Sequence, residues 1–547
     1  MMSLDVTQSL ASDRQSPQVK AFSEISQAGH ALERATWAAR EFGTYSATDI
    51  NRIVSAVADV ASRHAEEFAS ATVDETGFGV VEHKIQKNLA CSTGLLDEYA
   101  GADFVTPRVD SEKKVLEIPR PAGVIFALAP STNPVATVYF KVLLSLMTRN
   151  AVLISPHPMA KVVSNRAAEI LAEAAVGAGA PDGVIQSLPE PSLPLIEAVM
   201  KDERTKLILA TGGTAMVRSA YSSSNPALGV GPGNVPVFVD STADVRAAAA
   251  HIVDSKKFDN SVLCTNESVL IAEDSIADSL VREMSRLGAH FLTVEESKKL
   301  ADVMYPTGRL NSEVVGKDAH VIAGMAGINS GPKTKVLVAP ISAPVPEEVM
   351  THEKLAPVLG FLRVTDAERG ISAARAIVRI AGAGHSAAIH STNSRTIMAY
   401  GAAVPVLRMT VNAGNSTGSA GLGTSLATSM TIGTGFVGRS GVGENLQPSH
   451  LVNWTKVAHS TLSQDPMPNY SGLDPWRSHD QPVPEYPVAS NAQRDYSVAA
   501  PTSVADGVIS KLGASADGDR ISAVSDAALR DEIRRLVAQE LANMSKG

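Results

Sequence analysis

One of the two cysteines in this chain stands in a polar island. Cys264 lies between the polar stretches 259–261 and 265–267 of the segment KFDNSVLCTNES, whereas a core cysteine is usually surrounded by aliphatic residues. A cysteine in this position either packs as a small hydrophobe or acts as a nucleophile, because a thiolate attacks a carbonyl carbon directly. A metal site has less support, since the sequence has no CxxC motif and no clustered Cys and His spacing.

Two further polar residues stand beside apolar runs. In APSTNPVATVYFK, Asn133 comes just after an apolar run that ends at Pro130 and just before a helical pattern. Its side-chain amide would donate to a developing oxyanion, or else Asn133 would serve as a helix cap or turn residue. In THEKLAPVLGF, Glu353 precedes a strand-like run. A carboxylate there fits a ligand for sugar hydroxyls as well as an ordinary surface position at a helix end.

Two glycine-rich turns follow or precede strand-like runs. LILATGGTAMV predicts a strand, a turn at Gly212 and Gly213, and the start of a helix. Backbone amides at such a helix start attract a phosphate, although a plain βα turn has the same pattern. GVGPGNVPVFVD sets Gly229, Gly231 and Gly233 around a proline, which suits either the close approach of a ligand or a tight turn between domains.

The elements around these residues predict an α/β fold. Short apolar runs such as GVIFALAP, NAVLISPHP and KLILATGG alternate with helical stretches, which is typical of a doubly wound parallel sheet. We predict a first α/β domain over 20–239, a second over 240–409, and a segment over 410–462 that returns to the first. A linker rich in Pro, Ser and Asp over 463–522 and an amphipathic helix over 523–547 complete the predicted order.

Composition narrows the classes of function. The net charge of −9, with no basic stripe, gives no indication of nucleic-acid binding. The longest apolar runs are too short to span a bilayer. With two cysteines and no secretory signal at the N-terminus, the sequence predicts a cytoplasmic protein.

Taken in order, these motifs resemble the aldehyde dehydrogenase superfamily. The set is PSTNP, SPHP, ATGG, GVGPGN, FDNSVLCTNES, HEKLAPVL and GHSAAIHS, and GVGENLQPSHLVN at residues 441–453 extends it. The resemblance is closer to the CoA-acylating branch, which includes the aldehyde half of bifunctional aldehyde-alcohol dehydrogenases and the propionaldehyde dehydrogenases of bacterial microcompartments. It implies a Rossmann-type nicotinamide cofactor domain over 20–239, a catalytic domain over 240–409 and a homo-oligomer.

The resemblance also implies roles for individual residues. Cys264 matches the nucleophile, and Asn133 matches the donor that holds the oxyanion together with the Cys264 amide. No metal is implied. The residues assigned to cofactor binding are Ser155, Pro156, His157, Thr211, Gly212, Gly213, Gly231 and Glu353.

One departure from the hydrolytic enzymes of the superfamily is informative. Those enzymes carry a glutamate that activates water against the thioester, and Gly229 stands at that position here. Without a carboxylate base, water attacks slowly, and the thiol of CoA can take the acyl group instead. His385 in GAGHSAAIHS is the nearby candidate for an acid–base partner, and a structural loop histidine is the alternative.

The resemblance therefore predicts oxidation of a short aliphatic aldehyde of two or three carbons to its acyl-CoA, with a charged short aldehyde, such as a sulfonated one, as the second choice. NAD is the expected cofactor, with His157 leaving room for NADP, and coenzyme A is the expected co-substrate. Two alternatives stay open at this stage. One is a hydrolytic NAD(P)-dependent aldehyde dehydrogenase that produces a free acid, and the other is a non-catalytic cargo or scaffold protein.

The C-terminal helix carries a separate expectation. Leu529, Ile533, Leu536, Val537 and Leu541 fall on one stripe of it. A short helix with such a stripe needs a partner. Either the helix docks on its own oligomer, or it is an encapsulation peptide, since it resembles the tags that recruit enzymes into microcompartments by binding shell proteins.

Overall fold

The protein is built on two parallel sheets and one small antiparallel sheet. The computed structural model describes residues 17–476, with side chains from residue 25 onward. Its α-helices are α1 Pro17–Phe42, α2 Ala47–Arg63, α3 Ala65–Thr76, α4 Val81–Ala90, α5 Thr93–Glu98, α6 Pro134–Met147, α7 Lys161–Gly177, α8 Leu193–Lys201, α9 Thr214–Tyr221, α10 Val245–Lys257, α11 Asp274–Arg286, α12 Val294–Met304, α13 Ala319–Met325, α14 Ala367–Ile380, α15 Ser394–Ala403 and α16 Asn415–Ser419. Its strands are β1 Arg108–Asp110, β2 Val115–Pro121, β3 Val124–Leu128, β4 Ala151–Ser155, β5 Ile185–Ser187, β6 Thr205–Thr211, β7 Ala227–Val230, β8 Val235–Val239, β9 Glu267–Glu273, β10 Ala289–Phe291, β11 Val336–Pro340, β12 Val358–Val364, β13 Ala387–His390, β14 Met409–Val411 and β15 Val452–Ala458.

The first parallel sheet has the strand order β5-β4-β3-β6-β7. Strands β3 and β4 are buried along their whole length, because helices cover them, and this explains their continuously apolar sequences. Helix α6 is also buried on every side. Strand β3 lies at the centre of this sheet, so the loop that follows it, which contains Asn133, leaves from the middle of the carboxyl edge.

The second parallel sheet has the order β10-β11-β12-β9-β8-β13-β14. Its side chains alternate between two cores: Phe238 and Ile271 pack on one face, and Val237 and Leu270 pack on the other. Strand β8 pairs with β9 and β13. It therefore lies in this sheet, although the predicted boundary at residue 239 leaves it with the first domain.

The chain then returns to the first sheet. Met430 and Leu446 pack in the core around that sheet, and β15 pairs with β2 in the antiparallel sheet β1-β2-β15. The predicted α/β class is confirmed, and the domain boundaries themselves stay a prediction. The predicted helix over 523–547 lies outside the described residues. Among the residues that are described, no helix combines the length and the apolar composition needed to cross a membrane.

The beginning of the predicted linker is tied to the first sheet through Trp476. The indole Nε1 donates to the Val105 carbonyl at 2.7 Å, and the ring stacks on the guanidinium of buried Arg149 at 4.0 Å. Arg149 in turn donates to the carbonyls of Gly43 and Pro119. Residues 459–476 thus include an ordered attachment to the body of the protein.

Replacing Trp476 with alanine is expected to lower the free energy of unfolding by about 2 kcal/mol, because a partly desolvated cation–π contact and one hydrogen bond are lost together. Trp476→Phe keeps a ring face for Arg149 and loses only the indole donor, so its loss should be about half as large. Thermal or chemical denaturation measures both. An unchanged midpoint in Trp476→Ala would show that the attachment contributes nothing to stability.

Candidate active site

A cavity of about 370 Å³ lies at the carboxyl ends of β3, β4 and β6, the edge where parallel α/β sheets bind ligands. Residues of the loops that precede β9 and β12, including Cys264 and Glu353, line its other side. It brings together all but one of the predicted site residues: Asn133, Ser155, Pro156, His157, Thr211, Gly212, Gly213, Gly231, Cys264 and Glu353. Their individual roles stay proposals. His385 is the one that does not line the cavity.

Asn133 occupies the N-cap position of α6, but its side chain does not cap that helix. Its Nδ2 donates to the carbonyl of Val262 at 2.8 Å, and its Oδ1 accepts from the ammonium of Lys87. The geometry therefore argues against the ordinary capping role. The amide spans the cleft from the first sheet to the chain just before Cys264.

Cys264 sits on the cavity wall, partly exposed, in the turn that leads into β9. Its backbone is held against Gly233, where an added Cβ would lie 1.9 Å from the Cys264 carbonyl oxygen. Glycine is therefore required at 233 for the nucleophile loop to adopt this path. The other cysteine, Cys91, is fully buried in the first core.

The surroundings of Cys264 favour its protonated thiol form. Burial, with the Glu353 carboxylate second, raises the pKa of Cys264 to about 12, against the opposing charge of Arg408. Burial likewise raises the pKa of Glu353 to about 8, so its carboxyl is largely neutral at neutral pH. Deprotonation of Cys264 is thus a required step of any chemistry at this site.

Alkylation of Cys264 by iodoacetamide should accelerate about tenfold per pH unit between roughly pH 7 and pH 9, because only the thiolate reacts and its fraction is small throughout that range. Mass spectrometry of the labelled peptide measures the rate. Cys91 should stay unlabelled in the folded protein, because its side chain is fully buried and the reagent cannot reach it. A plateau reached below pH 8 would contradict a raised pKa at Cys264.

The glycines of the cavity leave room for a ligand. A Cβ placed on Gly212, Gly213 or Gly231 would meet no protein atom within 4 Å. Gly212 and Gly213 lie between β6 and the first turn of α9, whose free amides favour an anion. The space beside these three glycines therefore fits the phosphates of a dinucleotide cofactor.

Other groups on the wall fit the sugar parts of the same cofactor. Ser155 Oγ is buried and has no hydrogen-bond partner among the described residues. His157 Nδ1 accepts from the Met159 amide at 3.2 Å, and burial lowers the pKa of His157, so its ring is neutral. Glu353 Oε1 accepts from the Gly233 amide at 3.1 Å, which fixes the carboxyl beside the nucleophile loop.

His385 lies behind the cavity wall. An added Cβ on Gly233 would be 3.3 Å from its Cε1, so the ring and the Cys264 carbonyl flank the same glycine. Its Nδ1 forms a hydrogen bond with Ser386 Oγ at 3.0 Å, and its Nε2 has no hydrogen-bond partner in the described part of the chain. Burial, with Arg408 second, lowers the pKa of His385 to about 3. The imidazole is therefore neutral.

Sequence reasoning missed a buried charged cluster next to Asn133. Lys84 and Lys87 on α4 both contact the carboxylate of Asp259, and all three side chains are buried. The signal in the sequence is weak: two lysines three residues apart in HKIQK look like the exposed face of a helix. Within residues 17–476, no group of His, Cys, Asp and Glu is arranged to hold a metal ion.

Residues 17–457 match the aldehyde dehydrogenase family. The chain is 36% identical over 446 residues to the bifunctional aldehyde-alcohol dehydrogenase AdhE of Escherichia coli (strain K12), with 80% of this chain and 50% of that protein covered. It thus spans about half the length of such bifunctional relatives. It is 32% identical over 430 residues to the acetylating succinate-semialdehyde dehydrogenase of Clostridium kluyveri, covering 78% of this chain and 94% of that protein.

Solved structures show the same fold. An acetylating aldehyde dehydrogenase from Geobacillus thermoglucosidasius superimposes with a TM-score of 0.80 at 37% identity, covering 81% of this chain and 98% of that one. A propionaldehyde dehydrogenase from the Clostridium phytofermentans fucose utilisation bacterial microcompartment gives 0.73 at 31% identity, with 80% and 98% covered. The propionaldehyde dehydrogenase of Rhodopseudomonas palustris, with bound CoA and an acylated cysteine, gives 0.72 at 27% identity, with 79% and 97% covered. The resemblance to the CoA-acylating branch is confirmed.

Proposed function

Because the chain belongs to the aldehyde dehydrogenase family, we propose that it oxidises a short-chain aldehyde to its acyl-CoA, with NAD as cofactor and CoA as co-substrate. The observation that carries this proposal is the single cavity that holds Cys264, Asn133 and Glu353 beside the open glycine turn. The overall reaction is aldehyde + CoA + NAD⁺ → acyl-CoA + NADH + H⁺. Relatives named as acetylating enzymes support the choice of CoA.

The chemistry begins with the Cys264 thiol. After losing its proton, the sulfur attacks the aldehyde carbon and forms a thiohemiacetal whose oxygen carries the developing negative charge. Asn133 Nδ2 and the Cys264 amide are the donors proposed to bind that oxygen. Bound NAD supplies the hydride acceptor, and Cys264 is left as a thioester.

The acyl group of the thioester then passes to the sulfur of CoA rather than to water, and Cys264 leaves as the thiolate. A side chain at Gly229 has no room, because its Cβ would lie 2.8 Å from Val217 Cγ1 and 2.9 Å from Tyr221 Cε2. The Tyr221 hydroxyl also accepts from the Gly229 amide at 2.9 Å, so this ring fills the place where a hydrolytic base would stand. His385 stays the proposed acceptor of the CoA thiol proton. In this structure its ring lies behind the cavity wall at Gly233 with its pKa lowered by burial, so the role requires a movement that opens the wall to the ring.

A panel of short aldehydes tests the proposal. Each is supplied with NAD or NADP, with and without CoA, while NADH absorbance and the identity of the product are followed. We expect turnover that requires CoA, with NAD preferred and acyl-CoA as product. Equal turnover without CoA, with a free acid as product, would support the hydrolytic alternative. No turnover with any aldehyde would favour a non-catalytic cargo or scaffold protein.

We further propose that the enzyme is a homo-oligomer carried inside a bacterial microcompartment, with residues 523–547 binding shell proteins. The support is the amphipathic stripe of that segment and the microcompartment origin of one solved relative. A fluorescent protein fused to residues 520–547 should become enriched in purified shells of the matching host. Diffuse fluorescence would contradict shell binding and leave docking on the enzyme's own oligomer as the proposed role of the segment. Sedimentation measures whether the oligomer exists, and a monomer at micromolar concentration would contradict it.

A further inference from the structure

We propose that Lys87 is a positioning residue for the oxyanion donor: its ammonium fixes and polarises the Asn133 amide so that the free N–H of Asn133 faces the carbonyl attacked by Cys264. The inference deepens the proposed function, because it concerns the first covalent step of that reaction. It stands on the contacts among the buried side chains of Lys84, Lys87 and Asp259 and on the contact of Lys87 with the Asn133 amide.

The Asn133 amide is held from both ends in one orientation. Its Oδ1 accepts from Lys87 Nζ, and one of its two N–H groups donates to the Val262 carbonyl at 2.8 Å. A flipped amide would place its NH₂ against the ammonium and its oxygen against that carbonyl, which are two repulsive contacts. The second N–H has no protein partner among the described residues, and Asn133 lines the cavity that holds Cys264.

The charge around Lys87 exceeds what pairing requires. Lys84 and Lys87 face a single carboxylate, that of Asp259, and the exposures of the three residues are 4%, 1% and 0%. One lysine would be enough to neutralise Asp259, and a second buried ammonium costs desolvation energy. Burial and the Lys87 ammonium lower the pKa of Lys84 to about 8, in keeping with this excess of positive charge.

The same charged cluster also holds the turn at residues 259–261, on the other side of the cleft. Asp259, Asn260 and Ser261 all have left-handed backbones, with φ of 50°, 48° and 67°, a conformation that costs energy for residues other than glycine. Asp259 Oδ1 accepts from the Val80 amide at 2.7 Å, next to α4. Helix α4 thus fixes both the oxyanion donor and the strained turn that leads to Cys264.

A positive charge on the amide oxygen has a direct chemical effect. It draws electron density from the Asn133 nitrogen, so the free N–H becomes a stronger donor toward a developing oxyanion. Lys84 lacks this contact: its Nζ donates to Asp259 and to the Thr132 carbonyl at 3.2 Å. Lys84 is therefore a matched control, since it lies on the same helix and contacts the same carboxylate.

The test uses two reagents that need the Cys264 thiolate but differ in the oxyanion. p-Nitrophenyl acetate acylates the thiolate through a tetrahedral oxyanion and releases a burst of p-nitrophenolate, without any aldehyde, NAD or CoA. Iodoacetamide alkylates the same thiolate by displacement at a methylene carbon, so no oxyanion forms. We expect Lys87→Met to slow the acylation burst by at least about tenfold, but by less than the 10²–10³ that is typical of deleting the oxyanion donor itself. The rate of alkylation by iodoacetamide should change less than about twofold.

The controls separate positioning from folding. Lys84→Met should slow the burst no more than about threefold, since the Asn133 donor keeps its partner. In the double variant Lys87→Met/Asn133→Ala, the loss should equal that of Asn133→Ala alone, because Lys87 acts through Asn133. If Lys87→Met does not fold, Lys87→Gln and Lys84→Gln give the same comparison.

The outcomes are distinct. Equal slowing by the Lys84 and Lys87 variants, parallel loss of alkylation, or fully multiplicative losses in the double variant would each overturn the positioning role. A wild-type protein without an ester burst would overturn it too, because no oxyanion site would exist. Failure of the proposed function is a separate result: the ester burst and its dependence on Lys87 would persist, while CoA-dependent aldehyde oxidation would be missing.

Discussion

Replacing Cys264 with alanine should abolish acyl-CoA formation, with a loss of about 10⁴-fold or more, the scale seen when a covalent nucleophile is removed. The reason is geometric: Cys264 is the cysteine on the wall of the cavity that also holds Asn133 and Glu353. NADH absorbance with a short aldehyde, NAD and CoA measures the effect.

Cys91→Ala is the matched control for that result. Cys91 is fully buried in the core of the first sheet, so its replacement should affect stability more than turnover. If Cys264→Ala kept substantial turnover, the covalent mechanism would be wrong. If Cys91→Ala removed turnover in a protein that is still folded, the identity of the nucleophile would have to be reconsidered.

Replacing Asn133 with alanine should lower kcat by about 10²–10³ and leave KM nearly unchanged, because the amide is proposed to bind charge that develops only in the transition state. The fold should tolerate the change: Lys87 keeps Asp259 as a partner, and Asn133 does not cap α6 with its side chain. Steady-state kinetics over a range of aldehyde concentrations separates kcat from KM.

Asn133→Asp sharpens the same measurement. The carboxylate keeps the size of the side chain and can still accept from Lys87, but it has no N–H and repels an oxyanion. Its kcat should therefore fall at least as far as that of Asn133→Ala. A loss of only a few-fold in either variant would remove Asn133 from the role of oxyanion donor.

Much of the fold was predictable from local patterns. The runs GVIFALAP, NAVLISPHP and KLILATGG became β3, β4 and β6, because a strand buried on both faces must be apolar throughout. The sheet to which β8 belongs was not predictable in this way. NVPVFVD predicts a strand, but which sheet it joins depends on its pairing with β9 and β13, and pairing partners are not encoded in a single strand.

Site residues that directly follow a strand were predictable from the sequence. Residues that reach the site only because distant parts of the chain pack together were less so. Asn133 and the Gly212–Gly213 turn follow strands and line the cavity, as the parallel-sheet rule requires. Lys87 lies on α4, far from Cys264 in sequence, and its burial arises only when α4 packs against the turn at Asp259. Similarly, the pattern at Gly229 did not reveal that Tyr221 fills the adjacent space.

The contrast between glycines in the cleft has a consequence for how this protein can change over time. An added Cβ at Gly212, Gly213 or Gly231 meets no protein atom within 4 Å. Under the proposed cofactor role, selection at these positions therefore acts through the bound ligand and not through packing. Gly233 is the reverse case, because a Cβ there meets the Cys264 carbonyl oxygen at 1.9 Å. Under that proposal, substitutions at the three open glycines change the affinity for the cofactor, whereas any substitution at Gly233 changes the path of the loop that carries Cys264.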